Sequence, residues 1–289
     1  MDQPLLPRRG LPGETEKLYD FNESVPRFIL EGIVRPASNQ GKIVAILGEE
    51  WHTAETVCRI SDLLYYHGLR DSAIQFWNAN NSYGFDLIDW SRLSYTNTIT
   101  TVSRYMKHLM WDRNTDPLVI PNGIPSRAVA PVDEEAVARV RATLAGDLLL
   151  VKIGRFDPDK RWVVAIEAAA KLKQMGLKLV FPLRGGIEPH GLVGLEVMGA
   201  GGLAFTGSTG EDYTIPFEYA VVLDTSDPGE IAGYLTHLRN HPTEREEIRR
   251  NGYRTAHTFL WANVIKILRS KLEYIAHNQG ILDAADTGA

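Results

Sequence analysis

The sequence predicts an α/β protein built on parallel sheets in two halves, and three observations predict it. Short, strongly apolar runs recur at Gly41–Gly48 (GKIVAILG), Asp147–Gly154 (DLLLVKIG) and Leu177–Leu183 (LKLVFPL), with the length and β-branched content of buried strands. Amphipathic stretches follow the first two. One starts near Thr53 with Val57, Ile60, Leu63 and Leu64 on one face, and another runs from about Lys160 to Gly176 with Val164, Ile166, Ala170 and Leu172. Between the halves, Pro121-Asn122-Gly123-Ile124-Pro125 cannot continue either periodic element and reads as a linker.

The remaining elements follow in order. Residues 1–40 are rich in Pro, Gly and charge and read as an arm with a short helix around Val25–Glu31. Residues 73–95, with QFWNANNSYGFDLIDW, read as a functional loop. A strand TNTITTVS, a helix RYMKHLMW and a strand DPLVIPNGIP come next, then a helix from Asp133 to about Ala145 with acidic residues in its first turn. The chain ends in helices over Gly229–Leu238, Arg245–Gly252 and Ala262–Ala276. The predicted organisation is an arm (1–40), a first domain (41–121), a second domain (122–276) whose final helix can pack back across the cleft, and a tail (277–289).

With 289 residues, 44% hydrophobic and 23% charged, the chain can bury two modest cores. A single cysteine, Cys58, excludes a disulfide framework and fits a reducing compartment. No stretch approaches the roughly 20 apolar residues of a membrane span, and the N-terminus lacks a signal peptide's apolar region, so the expected location is cytoplasmic, with room for a peripheral membrane contact. A net charge of −5 without a dense Lys/Arg run argues against nucleic acid as a partner. No metal-ligating cluster stands out, and no Walker A or G-x-G-x-x-G motif follows a strand.

Two segments carry chemistry. In Gly154-Arg155-Phe156-Asp157-Pro158-Asp159-Lys160-Arg161-Trp162 a strand gives way to a helix. At the carboxyl end of a parallel strand the next helix points its N–H groups at the ligand crevice, so the Arg155 guanidinium and the Lys160 ammonium there can converge on a diphosphate. Two solvated charges at a helix start would look the same in isolation. In Glu188-Pro189-His190-Gly191-Leu192-Val193-Gly194-Leu195-Glu196, a helix starting near Gly191 would let Glu188 and Glu196 both face a ligand and accept hydrogen bonds from vicinal hydroxyls. Weaker signals are Trp77 to Phe85, with aromatic faces and amides suited to a sugar, and the polar loop Gly207–Asp212.

Taken in order, TVSRYMKHLMW, LVIPNGIP, KIGRFDPDKRW, EPHGLVGLEVM and a late helix preceded by Phe259-Leu260-Trp261 resemble family 4 retaining glycosyltransferases of the GT-B fold, over most of residues 41–276. The resemblance implies two Rossmann-like domains. It implies that Arg155 and Lys160 hold the diphosphate of a nucleotide-sugar donor, that Glu188 sits by the donor sugar and Glu196 by the ribose, and that backbone amides around Gly191 and Leu192, with Gly154, line the donor site. It also makes His52, in Glu49-Glu50-Trp51-His52-Thr53-Ala54, a sugar-site residue. The implied reaction moves a sugar to a glycan or small-molecule acceptor hydroxyl with retention, without a cofactor and without an obligatory metal. Against that pattern both domains are shortened. No glycine-rich loop precedes Gly41, and αβ units are missing between Gly186 and Glu188, where His190 replaces the usual Phe. An impaired remnant that only binds sugar nucleotides, or serves as an interaction protein, is the alternative, and uncovered apolar surface leaves room for a homo-oligomer.

Overall fold

The computed structural model describes residues 13–144, 146, 148–154, 156, 158–180, 183–185, 192–207 and 212–282. The chain forms two compact units, residues 1–120 together with 267–289, and residues 121–266.

The first unit is built on one parallel sheet, β1 (Val44–Glu49), β2 (Ala73–Ala79), β3 (Thr98–Thr101) and β4 (Leu118–Val119), in that spatial order. Register runs from Val44↔Ala73 to Glu49↔Asn78 and from Phe76↔Thr98 to Ala79↔Thr101, which aligns the carboxyl ends of β1, β2 and β3. On one face Trp77, Ala79 and Ile99 pack with Val57 and Cys58 of α3 (Trp51–Tyr66), with Leu93 of α4 (Trp90–Thr96) and with Met106 and Met110 of α5 (Arg104–Trp111). Two caps start the short helices: Asp89 accepts from the Arg92 amide at 3.1 Å, and Ser103 from the Met106 amide at 3.1 Å. On the other face Ile74 and Phe76 meet Leu268, Leu272, Ile275 and Ala276 of the last helix, Trp261–Asn278.

Three expectations change here. The helix expected around Val25–Glu31 is present but longer, so residues 14–38 are not an otherwise irregular arm. They form helix α1 (Glu14–Phe28), a π-helical segment (Ile29–Val34) and helix α2 (Arg35–Ser38), because Leu30 and Val34 bury themselves against Ile46, Ile60, Leu64 and Ala73. That burial outweighs the helix-breaking signals of Pro26, Gly32 and Pro36. Residues 73–79 are a strand rather than part of a loop. With both faces covered, AIQFWNA shows no polar alternation, and the buried Gln75 side chain donates to the Val57 carbonyl at 2.9 Å. Residues 267–276, expected with the second domain, pack on the first unit's sheet.

The second unit contains three two-stranded parallel pairs among its described residues: β5 (Leu148–Leu149) with β7 (Leu179–Val180), β6 (Lys152–Gly154) with β8 (Leu183–Gly185), and β9 (Phe205–Gly207) with β10 (Val221–Leu223). Around them lie α6 (Glu134–Thr143), α7 (Trp162–Gln174), α8 (Val193–Gly199), α9 (Pro228–Asn240) and α10 (Pro242–Thr258). Apolar packing is divided among three clusters, centred on Leu195 and Met198, on Leu172 and Leu235, and on Val221, Leu238 and Ile248. The linker segment is tied down: Ile124 donates to the Phe259 carbonyl at 2.8 Å and accepts from the Trp261 amide at 3.1 Å. Gly123 is required there, since a Cβ would come within 2.8 Å of the Trp261 ring and 3.0 Å of its Cα. No helix among the described residues is long and apolar enough to cross a membrane.

Candidate functional site

In the second unit, the chain leaves β6 at Gly154, makes a 3-10 turn over Pro158–Lys160 and enters α7 at Trp162. Arg161 adopts a left-handed conformation (φ 50°, ψ 43°), unusual for a residue with a Cβ, and this reverses the chain into the helix. Behind the turn the Trp162 ring is buried, stacked at a tilt on Phe156 at 4.7 Å and lying under the Lys152 ammonium at 5.7 Å. Trp162 is therefore part of the packing that holds the turn. Lys160 is half-buried on this connection, and Arg155 lies outside the described residues.

The loop leaving β10 meets the same connection. The Glu230 carboxylate accepts from the amides of Asp224 and Thr225 at 2.9 Å each and from the Thr225 hydroxyl at 2.6 Å. Arg161 reaches the Thr225 carbonyl at 3.5 Å. Burial acts to raise the Glu230 pKa, but these hydrogen bonds and the Arg161 charge outweigh it, so the carboxyl stays below its ordinary value and ionised. Asp227 caps α9 by accepting from the Gly229 amide at 2.8 Å. The carboxyl ends of β6 and β10 thus share a polar rim of Arg161, Thr225 and Glu230, which sequence reasoning misses. The only sequence signal was the strand-to-helix position of each loop.

Leu192 caps α8 and packs into the cluster around Leu195, and Glu196 is exposed in the first turn. The helix begins at Val193 rather than near Gly191, which places Glu196 closer to its start than expected. Glu188, His190 and Gly191 lie outside the described residues, as do residues 208–211 of the polar loop.

In the first unit, the carboxyl ends of β1 and β2 carry a second polar cluster. Glu50 has φ 66° and ψ 165°, a conformation nearly reserved for glycine. It is held there from every side. Its amide donates to the Asn78 carbonyl at 3.0 Å, its carbonyl accepts from the Trp77 indole at 3.1 Å, and its carboxylate accepts from the Asn80 amide at 2.9 Å and the Asn81 side chain at 3.0 Å. Glu49 accepts from the Asn80 side chain at 2.8 Å. His52 is exposed in the first turn of α3, edge-on to Trp51 at 5.9 Å, and Tyr83 stands edge-on to the same indole at 6.1 Å. Gly84 (φ 73°) passes so close to Trp51 that a Cβ would lie 2.3 Å from the ring. Trp77 and Phe85, expected as stacking faces, are buried in the core instead, so Trp51, His52 and Tyr83 are the rings left at this edge. His52 belongs to the first unit; Gly154, Lys160, Leu192 and Glu196 belong to the second.

No protein-family model and no curated protein sequence matches the chain. Solved structures do. Sucrose-phosphate synthase from Thermosynechococcus elongatus superposes with a TM-score of 0.61 at 16% identity, over 95% of this chain and 82% of that one. HepE from Anabaena, in complex with UDP and glucose, gives 0.62 at 12% identity over 95% and 84%. The catalytic domain of starch synthase IV from Arabidopsis thaliana, bound to ADP and acarbose, gives 0.64 at 15% identity over 93% and 79%. At such identities the likeness is one of fold: the chain is an α/β protein with the GT-B fold.

Proposed function

We propose that the chain is a glycosyltransferase that moves a sugar from a nucleoside-diphosphate donor to an acceptor hydroxyl with retention. The observation that carries this reading is the segment Gly154–Trp162, which leaves a parallel strand and turns into α7 in a GT-B fold, where a helix start favours a diphosphate. Neighbours of the same fold were solved with UDP or ADP bound, which supports a nucleotide-sugar donor.

In the proposed reaction the bond from the anomeric carbon to the diphosphate breaks as the acceptor oxygen bonds to the same face. The acceptor proton passes to the departing phosphate, so no protein base is needed. Arg155 and Lys160 stabilise the charge that builds on the leaving group, Glu188 holds the sugar, Glu196 the ribose, and Gly154, Gly191 and Leu192 supply close backbone. His52 and the Glu50–Asn80–Asn81 edge serve the sugar or acceptor in the first unit. No metal takes part in the proposed reaction. The buried free thiol of Cys58 supports a reducing, cytoplasmic setting.

Purified protein is incubated with candidate sugar nucleotides, and released nucleoside diphosphate is measured alongside calorimetric binding. Turnover with at least one donor is expected. Arg155→Ala should weaken donor binding by about 2–3 kcal/mol, and Lys160→Ala should lower kcat about 100-fold or more. Donor binding without turnover would favour a binding remnant over an enzyme. Neither binding nor turnover with any donor, or an unchanged affinity in Arg155→Ala, would remove the reading.

A further inference from the structure

The break between α9 and α10 brings together three side chains that the proposed reaction does not use. His237 lies in the last turn of α9, His241 sits in the break, and Glu244 occupies the first turn of α10. Pro242 fixes this geometry. A residue before proline is driven out of the helical region, and His241 accordingly has φ −121° and ψ 71°, ending one helix and starting the next. One ligand atom from each side chain lies within 4.8 Å of the other two. His237 Nε2 is already 2.9 Å from a Glu244 oxygen, and the two imidazole rings lie face to face at 4.1 Å with 23° between their planes.

We propose that His237, His241 and Glu244 form a surface site for a divalent transition-metal ion of the zinc class. Two imidazoles and a carboxylate are a donor set such ions prefer, and three protein ligands leave a fourth position for water. The His241 Nδ1 lies 2.8 Å from the His237 carbonyl, which can only accept, so Nδ1 carries the proton and Nε2 presents its lone pair. This second hydrogen bond is the kind that orients metal-bound histidines. His237 needs only a tautomer change to free Nε2, with its proton moving to Nδ1. Ligand atoms of a tetrahedral zinc site stand about 3.3 Å apart, given bonds of about 2.0–2.2 Å, so small side-chain rotations close the remaining gap. Packing already fixes the frame: Leu238 of α9 and Ile248 of α10 share a buried cluster with Val221, and Phe217 sits edge-on to His237 at 6.4 Å.

The cluster is at the opposite end of α9 from the Asp227 cap and the Thr225–Glu230 contacts, roughly 14 Å along the helix from Pro228 to His237. Its role is to clamp α9 to α10, and it stands whether or not the chain transfers sugars. The test uses the full chain without an affinity tag, stripped of metal and titrated calorimetrically with Zn²⁺. About one equivalent should bind with a rise in Tm, and Co²⁺ should give the intense visible absorption of a tetrahedral site. His241→Ala and Glu244→Gln each alter a solvent-facing side chain, and circular dichroism checks that both remain folded. Each should weaken zinc at least ~10-fold and abolish the Tm shift, while His67→Ala, at an exposed histidine elsewhere, should change neither. Absence of zinc binding in the unmodified chain, or an unaltered affinity in both site variants, would overturn the proposal.

Discussion

The two units solve the same packing problem differently. In the first, strands of six and seven residues run side by side in one four-stranded sheet, and both faces of β2 are covered. In the second, the described strands are two or three residues long, paired only in twos, and the apolar contacts fall into three smaller clusters. A continuous sheet concentrates stability in a few large side chains. Among the described residues of the second unit the apolar contacts are spread over several smaller clusters, and Glu230 closes the loop after β10 through hydrogen bonds to its amides. Rigidity in the first unit supports a strained residue, Glu50, at the sheet edge, whereas the second unit presents its candidate ligand groups on short turns.

The most demanding check on this contrast is Trp77→Ala. Trp77 is fully buried, edge-on to Trp90 at 5.7 Å, and its indole satisfies the Glu50 carbonyl. Its removal should lower stability by about 3–5 kcal/mol, read by denaturant unfolding, with faster hydrogen exchange in β1–β3. Leu172→Ala, at an equally buried position of the second unit, should lose about 2–3 kcal/mol, because its cluster borders half-buried neighbours that can close in. A Leu172→Ala loss at the upper end of the range for such truncations, about 4–5 kcal/mol, would show that its half-buried neighbours do not close in.

Glu50 sharpens the same contrast at the backbone. Glu50 sits between β1 and α3, and at regular helix or strand positions glycine is worse than alanine by about 0.5–1 kcal/mol. At φ 66° and ψ 165° the order should reverse, with Glu50→Gly about 1–2 kcal/mol more stable than Glu50→Ala, since both lose the carboxylate and only alanine keeps the strain. Thermal denaturation of the two variants decides it; the ordinary order would mean that the edge is not under strain.

These comparisons also mark what the sequence could and could not reveal. The α/β class was legible because GKIVAILG and DLLLVKIG read directly as buried strands. β2 was not, because Gln75 and Asn78 look like loop residues until the fold supplies the Val57 carbonyl and the Thr100 hydroxyl as partners. A short helix around Val25–Glu31 was legible, whereas prolines and a glycine concealed how far it extends, from Glu14 to Ser38, with Leu30 and Val34 of the π-helical segment buried against the sheet. The position of Lys160 at a strand-to-helix turn was readable. The strain at Glu50 was not, since it arises only once β1 and β2 are in register. His237 and His241 are four residues apart, but it takes the break at Pro242 to bring Glu244 within 2.9 Å of His237.

The smallest effect concerns charge on the covering helices. In the first unit Glu55 bridges Arg59 and Arg92 at 2.6 Å each, Arg92 also reaches Asp62 at 2.6 Å, and Arg59 pairs with Glu23. In the second unit Arg139 pairs with Glu135, His237 with Glu244 and Arg249 with Glu246. Burial works to raise the Glu55 pKa, but the two guanidinium groups outweigh it and hold the carboxyl below its ordinary value of 4.5. A depressed folded-state pKa adds stability that is fully present above the unfolded value and is lost as pH falls through the folded one. Because these side chains are more than a third exposed, solvent screens the network, and Glu55→Gln should lose only about 1 kcal/mol at neutral pH. The gap between the unmodified chain and the variant should narrow below about pH 4.5 and shrink in high salt. A gap that stayed constant down to pH 3 would show that Glu55 acts through its shape rather than through its charge.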